Sequence, residues 1–215
     1  MHDVVFLLDV DNTLLDNDAI TADLRDYMRE ALGTEREQRY WAIFEECRRE
    51  LGYADYLGAL QRYRGQFPED CHIADVSLFL LRYPFAERLY PRALERIAAL
   101  RQRGPVAILS DGDVVFQPYK VERSGLWAAV DRVLIYIHKE QMLDDVERWY
   151  PARHYVMVDD KLRILAAMKA IWGERLTTVF VRQGHYARDT SPVEMRQADL
   201  IIDAIGDLPT MAFRR

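Results

Sequence analysis

Val4-Val5-Phe6-Leu7-Leu8-Asp9-Val10-Asp11-Asn12-Thr13 is the stretch on which the reading of this chain turns. An apolar run this short, opening on two β-branched residues, suits a strand that is covered on both faces. Two acids follow it at once, two residues apart. In open α/β sheets, ligand and catalytic groups gather at the carboxyl ends of the strands. Two carboxylates placed there can share a hard cation through their oxygens. A lone Asp after a strand is ordinarily a turn residue, but a pair followed by Asn-Thr on a central strand is harder to explain that way.

Working outward, similar apolar runs recur at Val106–Leu109, Val133–Ile137, Tyr155–Val158, Thr177–Val181 and Leu200–Ile202. Amphipathic segments lie between them. Pro91 stands at a first helical position ahead of Leu94, Ile97 and Leu100, with Gly104 as the stop. Gly125 and Gly173 close two further segments. This alternation predicts an α/β fold, a Rossmann-like parallel sheet with helices on both faces. One stretch breaks it. From 16 to 88 no strand-like run occurs, and the pattern is helical throughout. Thr21 can cap a helix with Leu24, Tyr27 and Met28 on its apolar face, ended by Gly33. Thr34 and Glu37 form a capping-box pattern ahead of Trp41 and Phe44. Two more helical segments follow around Tyr56–Tyr63 and Ile73–Leu81. The expected organisation is a core of residues 1–15 and 89–215 carrying an inserted all-helical domain, residues 16–88.

Composition narrows the function. The chain has 215 residues, half of them hydrophobic, with a formal net charge of −6. That balance disfavours nucleic acid as a partner, and an acidic protein that handles phosphate must gather positive charge locally. Cys47 and Cys71 lack metal-ligand spacing and read as free, buried thiols of a reducing cytoplasm. No apolar stretch reaches the roughly 20 residues that span a bilayer, so no membrane partner is expected. The N-terminal run holds an acid and has no basic leader, so it is not a signal peptide.

Other strand ends carry chemistry too. Ser110 follows the second run, Lys139 the third, and Asp159-Asp160 the fourth. Each alone is weak, because serines often cap helices and most lysines are solvated. Yet of 29 lysines and arginines only four are lysines, which makes one at this strand end less of an accident.

Asp-x-Asp-x-Thr, then Ser, then Lys, then Asp-Asp, in that order on successive strands, resembles the haloacid dehalogenase-like superfamily. The resemblance extends over essentially the whole chain. Residues 16–88 look like the family's helical cap of the C1 type, and Gln197 through Leu208 like its closing strand and helix. It implies a magnesium-dependent phosphohydrolase in which Asp9 is the covalent nucleophile and Asp11 the general acid and base. Thr13 would help hold the loop. Ser110 and Lys139, with Asp111 beside them, would form the phosphate-binding set. Mg2+ would be held by Asp9, by Asp11 through its backbone carbonyl, and by Asp160, with Asp159 behind it. The expected substrate is a small phosphorylated metabolite.

The pattern departs from the family in places. Glu140 follows Lys139 where relatives commonly have proline, so Lys120 competes for the role of catalytic lysine. Lys161 follows Asp160 where many relatives place another acid a few residues on; it reads as a solvated helix-start residue, with a phosphate contact as the less favoured alternative. Asp111 and Asp113 would crowd a phosphate with negative charge and are better placed to cap the following helix. Asp16-Asn17-Asp18 are expected at a hinge. The intact Asp9/Asp11 pair argues against a dehalogenase, whose leaving halide needs no proton. The absence of lysine from 16–88 argues against a cap-derived Schiff base. The alternatives are a phosphomutase or haloacid dehalogenase of the same fold, or a non-catalytic binding relative. Tyr40, Trp41, Phe44 and Tyr56 read as bundle core, and the many arginines of this segment as a mostly solvated face.

Overall fold

Each of the six apolar runs is a strand in the computed structural model, which describes residues 1–209 and Phe213. The strands are β1 (His2–Leu8), β2 (Val106–Asp111), β3 (Arg132–Tyr136), β4 (Ala152–Asp159), β5 (Leu176–Val181) and β6 (Leu200–Ile202). They form one sheet in the order β3-β2-β1-β4-β5-β6. Every pairing is parallel, with Leu8 opposite both Ile108 and Val158. Between and around them run α1 (Asn17–Leu32), α2 (Thr34–Leu51), α3 (Tyr56–Gln66), α4 (Ile73–Arg82), α5 (Ala93–Arg101) and α6 (Phe116–Arg123). The remaining helices are α7 (Leu126–Ala129), α8 (Leu143–Trp149), α9 (Leu162–Trp172), α10 (Gly184–Asp189) and α11 (Pro192–Met195).

Strand alternation sends Phe6, Leu8, Ile108, Val156 and Val158 to one face, where they join Ile97, Leu100 and Val121 of α5 and α6. Val5, Leu7, Leu109 and Met157 point the other way and meet Val146 of α8 and Ile164, Leu165 and Met168 of α9. A sheet covered on both faces explains why its strands are continuous apolar runs. The order also places a functional crevice. The chain leaves β1 toward β2 on one side and leaves β4 toward β5 on the other. The neighbouring carboxyl ends of β1 and β4 therefore form the topological switch point, where ligands bind in open α/β sheets.

Helices α1 to α4 account for the strandless segment. They pack around Tyr40, Trp41, Phe44, Tyr56 and Tyr63, and this apolar cluster is continuous with one face of the sheet. Tyr56 meets Phe116 of α6 with ring centroids 5.6 Å apart. The chain leaves the sheet and returns to it along paired linkers, with Asp16 N–H donating to the Arg88 carbonyl at 2.8 Å and Tyr90 N–H to Leu14 at 2.9 Å. Residues 210–212, 214 and 215 of the expected core segment lie outside the described residues.

Several local expectations need correction. Asp16, not Thr21, caps α1, accepting from Ala19 N–H at 2.9 Å. Thr21 lies one turn inside, with its hydroxyl 2.9 Å from that of Tyr56. The capping box at Thr34 does not form. Glu37 is drawn instead to Arg25 at 3.0 Å, because an ion pair with the neighbouring helix suits its buried position better than a backbone contact. Pro91 falls in the turn before α5 rather than in its first position. Of the two free thiols, Cys47 is buried but Cys71 is exposed. Among the described residues no helix is long and apolar enough to cross a membrane.

Candidate active site

The loop after β1 is built by its backbone. Asp9 N–H still pairs with Val158 at 3.0 Å, and the Val10 carbonyl then accepts from Thr13, Leu14 and Leu15. Asn12 adopts the left-handed conformation (φ 58°), which Asn tolerates better than most residues. Its amide is fixed by reciprocal bonds to Asp18, at 3.0 Å to the carboxylate and 3.1 Å from the backbone N–H. Gln183, just after β5, donates to the carbonyls of Asn12 and Thr13 at 3.2 and 2.9 Å. The expected loop-holding role of Thr13 therefore falls to Asn12 and Gln183, since the Thr13 hydroxyl has no hydrogen-bond partner.

Three acids converge at the switch point. Oxygens of Asp9, Asp159 and Asp160 all lie within 4.8 Å of one another, and all three residues are buried. Lys139, fully buried, reaches Asp9 Oδ1 at 2.5 Å and Asp159 Oδ2 at 2.7 Å. Asp159 Oδ1 also accepts from Lys161 N–H at 2.8 Å. By contrast, Asp9 Oδ2 and both oxygens of Asp160 are buried with no hydrogen-bond partner. Buried carboxylate oxygens without donors are costly. Burial, with the neighbouring acids, pushes Asp159 up to about 6 and Asp160 well above the usual carboxylate range. Burial works against the charge on Lys139, but Asp159 and Asp9 overcome it and hold the lysine protonated. An all-oxygen set with unsatisfied, converging lone pairs fits a hard divalent cation. Asp160, with neither oxygen engaged, is the better placed of the Asp159-Asp160 pair to ligate one directly.

The other sequence candidates gather around this cluster, with two rearrangements. Asp11 keeps its side chain out of the three-acid group and pairs it with Lys120 Nζ and, at 3.4 Å, with Gln117 Nε2. Both lysines thus reach the site, on different acids. Ser110 is buried and accepts from the same Gln117 amide at 3.0 Å. Asp113 does cap the helix that follows, accepting from Phe116 N–H at 2.6 Å. Asp111 does not. Its carboxylate accepts from Lys139 N–H at 2.8 Å and so shapes the turn that presents the lysine. Gln117 and Gln183 escaped the sequence reading, since a lone glutamine on a helix or in a loop carries no motif.

Above the acids lies a cleft of about 710 Å³ between the sheet's loops and helices α1 and α2, lined among others by Arg25, Trp41, Arg48, Tyr53 and Lys161. Arg48 of α2 donates to the hydroxyl of Tyr186 on α10, closing one side of the cleft.

A Rossmann-like sheet with acids at its switch point and a helical insertion after the first strand defines a class, and comparison with known proteins narrows it. Residues 4–171 match the haloacid dehalogenase-like hydrolase family. A haloacid dehalogenase-like hydrolase from Burkholderia xenovorans LB400 is 60% identical over 100% of both chains, with a TM-score of 0.92. The chain belongs to this family and is a hydrolase. More distant structures share the fold. A HAD-hydrolase from Bacillus subtilis bound to magnesium is 18% identical over 95% of this chain and 96% of its own, TM-score 0.64. The L-2-haloacid dehalogenase of Xanthobacter autotrophicus is 20% identical over 96% of each, TM-score 0.62. Among curated proteins, none matches the chain.

Proposed function

We propose that this hydrolase is a magnesium-dependent phosphomonoesterase working through an aspartyl-phosphate on Asp9. The observation that carries this reading is the unsatisfied oxygen set of Asp9 and Asp160 beside the buried Lys139. Asp9 Oδ2, Asp160 and the backbone carbonyl of Asp11 would hold the cation. When bound, it supplies positive charge that offsets the repulsion between a carboxylate and a phosphate dianion.

The residues then divide the work. Lys139 orients Asp9 and, with Ser110, neutralises and positions the phosphoryl oxygens; positioning and charge stabilisation make up most of phosphoryl-transfer catalysis. Asp9 forms a bond to phosphorus as the ester P–O bond breaks, and Asp11 gives its proton to the departing alkoxide. In the second half Asp11, again a carboxylate, takes a proton from water. The resulting hydroxide attacks phosphorus, and Asp9 leaves as the free carboxylate with inorganic phosphate. Lys120 and Gln117 orient Asp11 for both transfers. A dehalogenase reading leaves the unpaired oxygens of Asp160 without a purpose.

The test is hydrolysis of p-nitrophenyl phosphate. Phosphate release should require magnesium, vanish with EDTA, and fall by at least about 10⁴-fold in Asp9→Asn, given the very high uncatalysed barrier of monoester hydrolysis. Turnover that survives Asp9→Asn would remove the mechanism.

A further inference from the structure

Three of the four lysines are engaged by carboxylates: Lys139 by Asp9 and Asp159, Lys120 by Asp11, and Lys169 by Asp199. Lys161 is the exception. It stands at the start of α9, directly after Asp160, and its partly buried side chain lines the cleft. Among the described residues its ammonium has no hydrogen-bond or ion-pair partner, and it lies 5.2 Å from the centroid of the Tyr186 ring. The arginines lining the same cleft are all committed. Arg25 pairs with Glu37, Arg48 with Glu45, Arg163 with Glu140 and Arg188 with Asp18.

The cleft therefore presents one uncommitted cation, beside the acid cluster. A partly desolvated ammonium without a partner costs free energy that an anionic ligand would recover. Lys161 lines the cleft together with Asp11 and Asp160 and so stands on its open side, whereas Lys139 is sealed in the core.

We propose that Lys161 is a substrate-binding residue whose ammonium takes an anionic oxygen of the phosphoryl group from the cleft side, complementing Lys139. This rests on the phosphate-handling reading of the site and adds to it a second lysine contact to the phosphoryl group, outside the family's four strand-end motifs.

The experiment is titration calorimetry of inorganic phosphate into the magnesium-loaded protein, for wild type and for Lys161→Gln, Lys161→Met and Lys161→Arg. Loss of a charge-assisted hydrogen bond should weaken phosphate by about tenfold or more in the Gln and Met variants. The Arg variant, which keeps the charge but not the shape, should stay within about threefold of wild type. The KM for p-nitrophenyl phosphate should rise in parallel, with kcat changing less. Folded Gln and Met variants that bind phosphate like wild type would overturn the proposal, as would a wild type that binds none. Should the phosphate affinity depend on Lys161 in a protein that hydrolyses no ester, the binding role stands and the phosphatase reading falls. Acetylation of the wild-type lysines, read by peptide mass spectrometry, tests the same contact without mutation. Phosphate should protect Lys161, and unchanged labelling would count against the contact.

Discussion

Asp160 is the residue whose surroundings say most about the site. Both its oxygens are buried and unpartnered, next to two other acids that already share Lys139. Without a cation this carboxylate is a liability, and a bound cation would turn it into an asset. Asp160→Asn is therefore expected to leave the protein in EDTA at least as stable as wild type, by up to about 1–3 kcal/mol. Magnesium should raise the thermal midpoint of wild type by mass action and leave the variant unmoved. Calorimetry with and without magnesium checks both halves, and a wild type whose midpoint ignores magnesium would argue against the metal site. Lys139 has the opposite balance, since without it Asp9 and Asp159 would face each other with no cation. At this scale the sequence was readable where residue type and strand position coincide, as at Asp9, Ser110, Lys139 and Asp160. At Lys161 the sequence favoured a solvated helix-start lysine, and only the structure shows that its ammonium has no ion-pair partner among the described residues.

Strands and helices show the same division. All six strands were legible as short apolar runs, continuous in β1, β2, β4 and β5 because burial covers both of their faces. Helix starts were less so: Asp16 rather than Thr21 caps α1, and Glu37 leaves its capping box for Arg25 on the neighbouring helix. The β5–β6 edge is tied by Asp199, which accepts from Thr178 N–H at 2.8 Å and the Thr178 hydroxyl at 3.0 Å and pairs with Lys169 at 2.9 Å. Partial burial raises this carboxyl, but the Thr178 and Lys169 contacts outweigh burial and hold it below the usual range. A lowered acid contributes stability above its unfolded value and loses it as pH falls through the folded one. Asp199→Asn should thus cost about 1 kcal/mol near neutral pH, kept small because the ion pair is solvent-screened. The gap to wild type should shrink below about pH 4. Urea denaturation at pH 7 and pH 3 measures it, and a gap that did not narrow in acid would refute the assignment.

Across the whole molecule, two of the close meetings between the helical segment and the sheet's loops bear on the cleft. At Gly52, after α2, φ is 83° and an added Cβ would come within 2.5 Å of the His138 ring on the loop after β3. Only glycine suits both the left-handed backbone and that approach. The second contact is the Arg48–Tyr186 hydrogen bond across the cleft. If this bridge shapes the substrate's enclosure, Arg48→Ala and Tyr186→Phe should each raise KM for p-nitrophenyl phosphate several-fold. Their effects should be less than additive when combined, as for any pair acting through one contact. The magnesium-induced rise in thermal midpoint should persist in both. Fully additive KM effects would show that the two residues act separately.

The six strands, the helical insertion and the acids at the strand ends were legible in the sequence alone, because hydrophobic periodicity and strand-end chemistry are local properties of the chain. Which cation meets which acid was decided only by the tertiary structure. Lys139 reaches Asp9 across 130 residues of sequence, and Lys120 reaches Asp11 across 109. Lys139 comes from the turn after β3, two strands from β1, and Lys120 from α6, so both meetings depend on how the sheet and its helices pack. The same packing leaves Lys161 facing the cleft unpaired, since a side chain's partner is chosen by the neighbours that packing supplies.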